Sequence, residues 1–96
     1  MSDIEREDGG SKGRYVFRGE GGAVAEMTYS RVSPKLIIID HTEVPDAFRG
    51  QGVGAKLVAE AVKDARAGGV RIIPLCPFAA SQFRRHGEDW ADVLNK

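Results

Sequence analysis

Two hydrophobic periods alternate along this chain. Arg14-Tyr15-Val16-Phe17-Arg18 is rich in strand formers, and Gly19-Glu20-Gly21-Gly22 follows as a turn. Residues 23–30 read as a second strand, so the two make an antiparallel hairpin. Ser33-Pro34 interrupts the chain before a third strand, residues 35–44, whose apolar run Leu36-Ile37-Ile38-Ile39 marks it as buried. Pro45-Asp46 ends it. From residue 52 to 67 the period changes to that of a helix. Val53, Leu57, Val58, Ala61 and Val62 share one face, with Lys56, Glu60, Lys63 and Asp64 largely opposite. Gly68-Gly69 stops this helix. Residues 70–76 form a last strand, followed by a short helix at 79–85 and a terminal piece at 90–94. The third strand, the helix and the last strand make a β-α-β unit, with the two strands parallel neighbours and a right-handed crossover. The fold class is therefore α/β: a mixed sheet of about four strands, built from an N-terminal antiparallel hairpin and a parallel β-α-β unit, with a short C-terminal helical segment. Residues 14–96 make one domain. Residues 1–13 are polar, acidic and glycine-containing, and are expected to be a mobile tail.

The stretch that carries chemistry joins the third strand to the long helix: Arg49-Gly50-Gln51-Gly52-Val53-Gly54-Ala55. A strand, a glycine turn and a helix start present several N–H groups to an anion, and the helix N-terminus adds positive potential. Glycines can take φ values that other residues avoid and leave room for close approach. The ligand this suits is a phosphate or pyrophosphate, lying beyond the carboxyl end of the third strand where open α/β sheets bind. The run is not a Walker loop, for no glycine is followed by Lys-Ser or Lys-Thr at the required spacing. Nor is it the dinucleotide fingerprint, whose third glycine would fall at Ala55. It fits Arg-x-x-Gly-x-Gly, on Arg49, Gly52 and Gly54.

That motif resembles the pyrophosphate-binding loop of the GNAT acetyltransferase superfamily. Together with Tyr29, His41-Thr42-Glu43-Val44-Pro45, Pro74-Leu75-Cys76-Pro77-Phe78 and Arg84-Arg85-His86, it makes residues 14–94 look like a short, stand-alone branch of that superfamily. The resemblance implies an acetyl-CoA-dependent N-acetyltransferase acting on a small-molecule or protein amine. Backbone N–H groups of Gln51, Gly52, Val53 and Gly54, with Arg49 and Gly50, would hold the coenzyme A pyrophosphate, with Ala55 beside it in the first helical turn. Glu43 and Val44 would pair with the pantetheine arm, and the Val44 N–H would lie near the thioester oxygen, where such a donor stabilises an oxyanion. Larger members cover the acceptor with additional N-terminal helices. The resemblance therefore implies an acceptor site that is open or completed by a partner chain.

Acetyl transfer to an amine needs a base for the ammonium proton and an acid near the departing thiolate. His41 and Glu43, two residues apart on a strand, point to one face, and either suits the base. Many relatives carry Asn-x-x-Ala-x-x-x-Tyr before a Gly, with Asn on the cofactor and Tyr as acid. Counting back from Gly87, Cys76 takes the Asn place, Ala79 the Ala place and Phe83 the Tyr place. Phe83 has no hydroxyl, so Cys76 becomes the candidate acid or transient nucleophile. Phe83 and Arg84 join the cofactor-contacting set, with Arg84-Arg85-His86 near the adenosine 3′-phosphate. The missing hydroxyl also favours a second reading, a coenzyme A-binding module or regulator with little transferase activity. A third is an interaction domain that has lost the ligand.

Composition narrows these only at the margins. Fourteen basic and fourteen acidic residues leave a formal net charge of zero, so no nucleic-acid footprint is expected. One cysteine excludes an internal disulfide framework and suits the reducing cytoplasm. His41 and His86 do not form a metal-ligand spacing, so no metal is expected. No apolar run approaches the roughly 20 residues of a membrane span, and no membrane association is expected. An uncapped sheet edge suits a homodimer.

Overall fold

The computed structural model describes residues 4–95. Five strands form one sheet in the order β1-β2-β3-β4-β5: β1 is Ile4–Asp8, β2 Lys12–Arg18, β3 Val24–Ser33, β4 Leu36–Glu43 and β5 Arg71–Pro74. The first three pairings are antiparallel, and β4 with β5 is parallel, as a β-α-β unit requires. Helix α1, Val53–Gly68, makes the crossover, and α2, Pro77–His86, follows β5. A 3-10 turn, Gly87–Trp90, leads to Leu94, which bridges to Ile72 and covers part of the β5 edge.

The helical face predicted from spacing is the one that packs: Val53, Leu57, Val58, Ala61, Val62 and Ala65 are buried. They meet Tyr15, Ala25, Met27, Tyr29, Ile37, Ile39 and Ile72 from one face of the sheet. The α2 residues Ala79 and Phe83, with Trp90 and Val93, complete the same core. Among the described residues the opposite sheet face has no helix on it, and it is largely charged, with Glu7, Arg14, Glu26 and Glu43 at its surface. That asymmetry follows from strand alternation, which sends every second side chain of β2 and β3 to each face.

The sheet differs from the expected one in having a fifth strand. Residues 4–8 lie in β1 and residues 12–13 in β2, where the sequence reading expects a mobile tail. Two physical signals explain this. Gly9-Gly10-Ser11-Lys12 is a hairpin turn, with Gly10 at φ 92° and the Gly9 N–H donating to the Lys12 carbonyl at 2.8 Å. The charges that suggest disorder in isolation are complementary across the strands. Arg14 meets Glu7 and Glu26, each at 2.7 Å, and Arg6 Nε donates to the Tyr29 hydroxyl at 3.1 Å. Ile4 packs against the core.

Asp8 is the knot of this strand. The Gly10 N–H at 2.7 Å, the Tyr29 hydroxyl at 3.0 Å and Arg31 at 3.2 Å all donate to its carboxylate, holding its pKa down at about 2. A carboxyl depressed by folding contributes stability that is fully present above its unfolded pKa of about 4 and lost as pH falls through its folded value. Amide protection in β1 should therefore fall between about pH 4 and pH 2, ahead of β3 and β4. Hydrogen exchange monitored by NMR checks this. Asp8→Asn should flatten that dependence, and an unchanged acid profile in the variant would assign the effect to other carboxylates.

Candidate active site

Pro45 ends β4, and residues Asp46–Phe48 form one 3-10 turn. Phe48 anchors it: the ring is buried, lies edge-on to Phe17 at 5.2 Å and sits against Gly19, where any side chain would collide with it. The chain then turns into the glycine loop through two further bonds, from the Arg49 N–H to the Asp46 carbonyl at 2.9 Å and from the Gln51 N–H to the Phe48 carbonyl at 3.1 Å. The Gln51 side chain also donates to the Ala47 carbonyl at 3.2 Å. The loop is thus held by its own chain.

Its three glycines have two separate causes. Gly50 and Gly52 are left-handed, at φ 78° and 69°, with open space beside each. There, glycine serves the backbone conformation. Gly54 is different, since a Cβ would lie 2.7 Å from the Phe78 ring. It lets α2 pack against the start of α1. Gly52 is the N-cap of α1, no side chain caps that end, and its first turn has no acidic residue. Among the described residues nothing accepts from the N–H groups of Gly52, Val53, Gly54 and Ala55, while the first internal bond runs from Lys56 to the Gly52 carbonyl. An uncapped, uncompensated helix start beside a loop of left-handed glycines has the form of an anion cradle. Arg49 stands next to it, 82% exposed and 3.3 Å from an even more exposed Asp46.

Beside the cradle β4 and β5 part company. Their pairing ends at Ile39 and Pro74, and the Cys76 N–H closes it by donating to the Ile39 carbonyl at 3.1 Å. β4 continues to Glu43 with β3 as its strand partner on one side alone. Among the described residues no strand pairs with the other edge of residues 41–43, and the gap between that edge and the segment after β5, where the Thr42 N–H faces Cys76 Sγ, forms a slot. The exposed apolar side chains Val44, Leu75 and Phe78 belong to the segments that border it.

A bulge decides which side chains face where. Thr28 pairs with His41 and Tyr29 with Ile39, leaving Asp40 as the extra residue of β4. Asp40 accepts from the Ser30 hydroxyl at 2.6 Å, and His41 lies opposite Thr28, so both reach the open face. Glu43 follows there, with its Oε2 3.8 Å from His41 Nε2. The expected His41–Glu43 pairing on one face is therefore found, and both are well exposed. Thr42 points the other way, opposite the buried Met27, and meets Cys76, whose Sγ donates to Thr42 Oγ1 at 3.5 Å.

Cys76 is the N-cap residue of α2 and is 5% exposed. Burial pushes its thiol pKa up, but the Thr42 hydroxyl and the N–H groups of Ala79, Phe78 and Thr42 favour the thiolate and bring it below the ordinary thiol value. A helix start facing a sulfur acts in the same sense. Phe83 is buried and edge-on to Trp90 at 5.1 Å, so it offers a ligand little surface and positions α2 instead. Arg84 is exposed in the last turn of α2, and His86 stacks on Trp90 at 3.8 Å. Tyr29 is buried at the β1 knot, away from the slot. Thr42, Asp40 and Phe78 carry weight that sequence reading did not give them. For Asp40 and Thr42 the cause is the bulge, which no local pattern announces. Among the described residues no three metal-ligating side chains gather, and no helix is long and apolar enough to cross a membrane.

The sheet splays beside its parallel crossover, with a glycine-rich helix start at one end of the splay and a thiol within it, and the class is a mixed α/β domain. Residues 14–93 match the family described as GCN5-related N-acetyl-transferase, and the chain belongs to that family. Its fold is similar to that of a protein from Staphylococcus aureus whose solution structure is described as GCN5-like. The TM-score is 0.71 at 38% identity, covering 99% of this chain and 91% of that one. Protein NATD1 of Xenopus tropicalis is 50% identical over 40 residues, and the human protein of that name 45%. These matches take in 42% of this chain but only 36% and 34% of the relatives, so the matched stretch spans about a third of their length.

Proposed function

We propose that this chain binds acetyl-CoA and transfers the acetyl group to an amine. The observation that carries the reading is the continuity of cradle and slot: unpartnered N–H groups of residues 52–55 at one end, the open β4 edge in the middle, and Cys76 beside Thr42 within it. The cradle suits a pyrophosphate, and the slot suits an extended arm that pairs with Glu43 and Val44. Arg49 and Arg84 are exposed cations on the adjoining segments. The Val44 N–H has no acceptor among the described residues and suits the developing oxyanion.

Acetyl-CoA supplies an activated thioester. His41 or Glu43, on the open face, would take the ammonium proton of the acceptor. The Thr42 hydroxyl and the N–H groups facing Cys76 Sγ bring its pKa below the ordinary thiol value, which supports the nucleophilic route. In that route Cys76 Sγ bonds to the acetyl carbon as the bond to the coenzyme A sulfur breaks. The amine nitrogen then attacks the same carbon, the Cys76 thiolate leaves, and the proton passes to His41 or Glu43. A single thiol used this way suits the cytoplasm, where it stays reduced.

The second reading, a coenzyme A-binding module with little turnover, draws on Phe83, which has no hydroxyl and is committed to the core. One experiment separates the two. Calorimetry with acetyl-CoA tests binding, and release of free coenzyme A thiol in the presence of amines tests turnover. Binding with turnover supports the transferase, and binding alone supports the module. No binding rejects both.

A further inference from the structure

The open sheet face holds a depression of about 490 Å³ that the acetyl-CoA site does not use. It crosses four strands, from Asp40 on β4 over Ser30 and Thr28 on β3 and Lys12 and Arg14 on β2 to Glu7 on β1. Two of its charges cancel within the chain, since Arg14 and Glu7 are paired at 2.7 Å and Arg14 is also paired with Glu26. Two do not. Asp40 is bonded to the neutral Ser30 hydroxyl, and among the described residues no cation lies within ion-pair distance of it. Lys12 has no carboxylate partner among the described residues either. They flank Ser30 from opposite sides, because Lys12 pairs with Ser30 and the bulge turns Asp40 toward the same residue. The backbones that carry them are two strand spacings apart, roughly 10 Å.

From this placement we propose that the depression is the acceptor subsite and that the acceptor is a diamino acid. Its α-ammonium meets Asp40, its α-carboxylate meets Lys12, and its side-chain amine runs along β4 to His41 and Glu43. This rests on the acetyl-transfer reading and names its substrate class. A simple cation would leave Lys12 as a repelling neighbour, and a simple anion would do the same with Asp40. A zwitterion satisfies both, in each case through a charge-assisted hydrogen bond. Glu43 lies three residues beyond Asp40 on β4, on the order of 10 Å along the strand. That is within reach of an aliphatic amine of four or so carbons once the protein side chains converge on it. Asp40 and Lys12 act as specificity residues, and the reacting nitrogen stays with His41 and Glu43.

The test uses L-lysine, cadaverine, which lacks the carboxylate, and 6-aminohexanoate, which lacks the α-amine. Lysine is titrated into the chain without acetyl-CoA while amide shifts are followed, and all three are compared as acceptors. Shifts at Lys12, Thr28, Ser30 and Asp40 are expected, with lysine the best acceptor and its side-chain amine acetylated. Asp40→Asn should raise the KM for lysine by about tenfold with kcat little changed. Lys12→Met should reduce the preference for lysine over cadaverine by about tenfold. The absence of shifts at these residues, or cadaverine serving as well as lysine, overturns the proposal. Acetyl-CoA binding measured on the same samples separates the failures. If acetyl-CoA binds and lysine does not, the subsite is wrong and the transfer reading stands. If lysine shifts the trough and acetyl-CoA does not bind, the subsite stands and the transfer reading falls.

Discussion

Replacing Gly52 by glutamate should weaken acetyl-CoA binding by about a hundredfold to a thousandfold, since a misplaced like charge at close range costs several kcal/mol and each 1.4 kcal/mol is tenfold. Gly52 is the uncapped N-cap of α1, and the space beside it is open, so the new carboxylate clashes with nothing in the chain. It would instead cap the orphan N–H groups and put a negative charge where the phosphates are proposed to lie. Its cost to folding is the left-handed φ of 69°, about 1–2 kcal/mol for a residue with a Cβ. Gly52→Asn separates fold from charge. Asparagine tolerates that conformation and is a favoured N-cap, so this variant should unfold close to the native temperature. It should lose affinity far less than the glutamate variant. Calorimetry with acetyl-CoA, with thermal melts of all three chains, reads both effects. Native affinity in Gly52→Glu would mean that the ligand, if bound, is held elsewhere.

Cys76→Ala is expected to lower kcat at least about a hundredfold, with acetyl-CoA affinity changed far less. Cys76→Ser should be nearly as slow, because a serine hydroxyl next to Thr42 ionises far less readily than a thiol. Intact-mass measurement after mixing with acetyl-CoA in the absence of an amine identifies the role. An acetyl group on Cys76 in the native chain, chased off by an acceptor, is the result for the nucleophile. Loss of turnover in Cys76→Ala with no adduct in the native chain would make Cys76 the acid for the leaving thiolate. Native turnover in Cys76→Ala would reduce Cys76 to a small buried side chain capping α2 and leave the proton chemistry to His41 and Glu43.

The acid sensitivity of β1 bears on the acceptor side as well. Glu7 belongs both to that strand and to the depression on the open face, through its pairing with Arg14. Release of β1 below about pH 4 would therefore remove one wall of the proposed acceptor subsite while leaving the cradle at α1 in place. Binding of lysine and of acetyl-CoA should part company over the same pH range in which β1 amides lose protection.

Much of this was legible in one dimension because it depends on local chemistry. The period of α1 buries the face that it predicts, and the break at Pro45 followed by Arg49, Gly52 and Gly54 marks the loop. A parallel neighbour for β4 follows from the length of the crossover. These are properties of consecutive residues, and backbone sterics and hydrophobic burial act on them alike in any context. The tertiary structure decided the rest. Residues 4–8 look like a solvated tail until Glu7 meets Arg14 and Asp8 meets Tyr29 from strands that the sequence does not place beside them. Gly54 reads as room for a ligand, whereas the Phe78 ring occupies the space beside it. The bulge at Asp40 sends His41 and Glu43 to the open face and Thr42 toward Cys76. A one-residue insertion in a strand inverts every side chain after it. Its position is set by how β4 pairs with β3, so it belongs to the sheet and not to either strand alone.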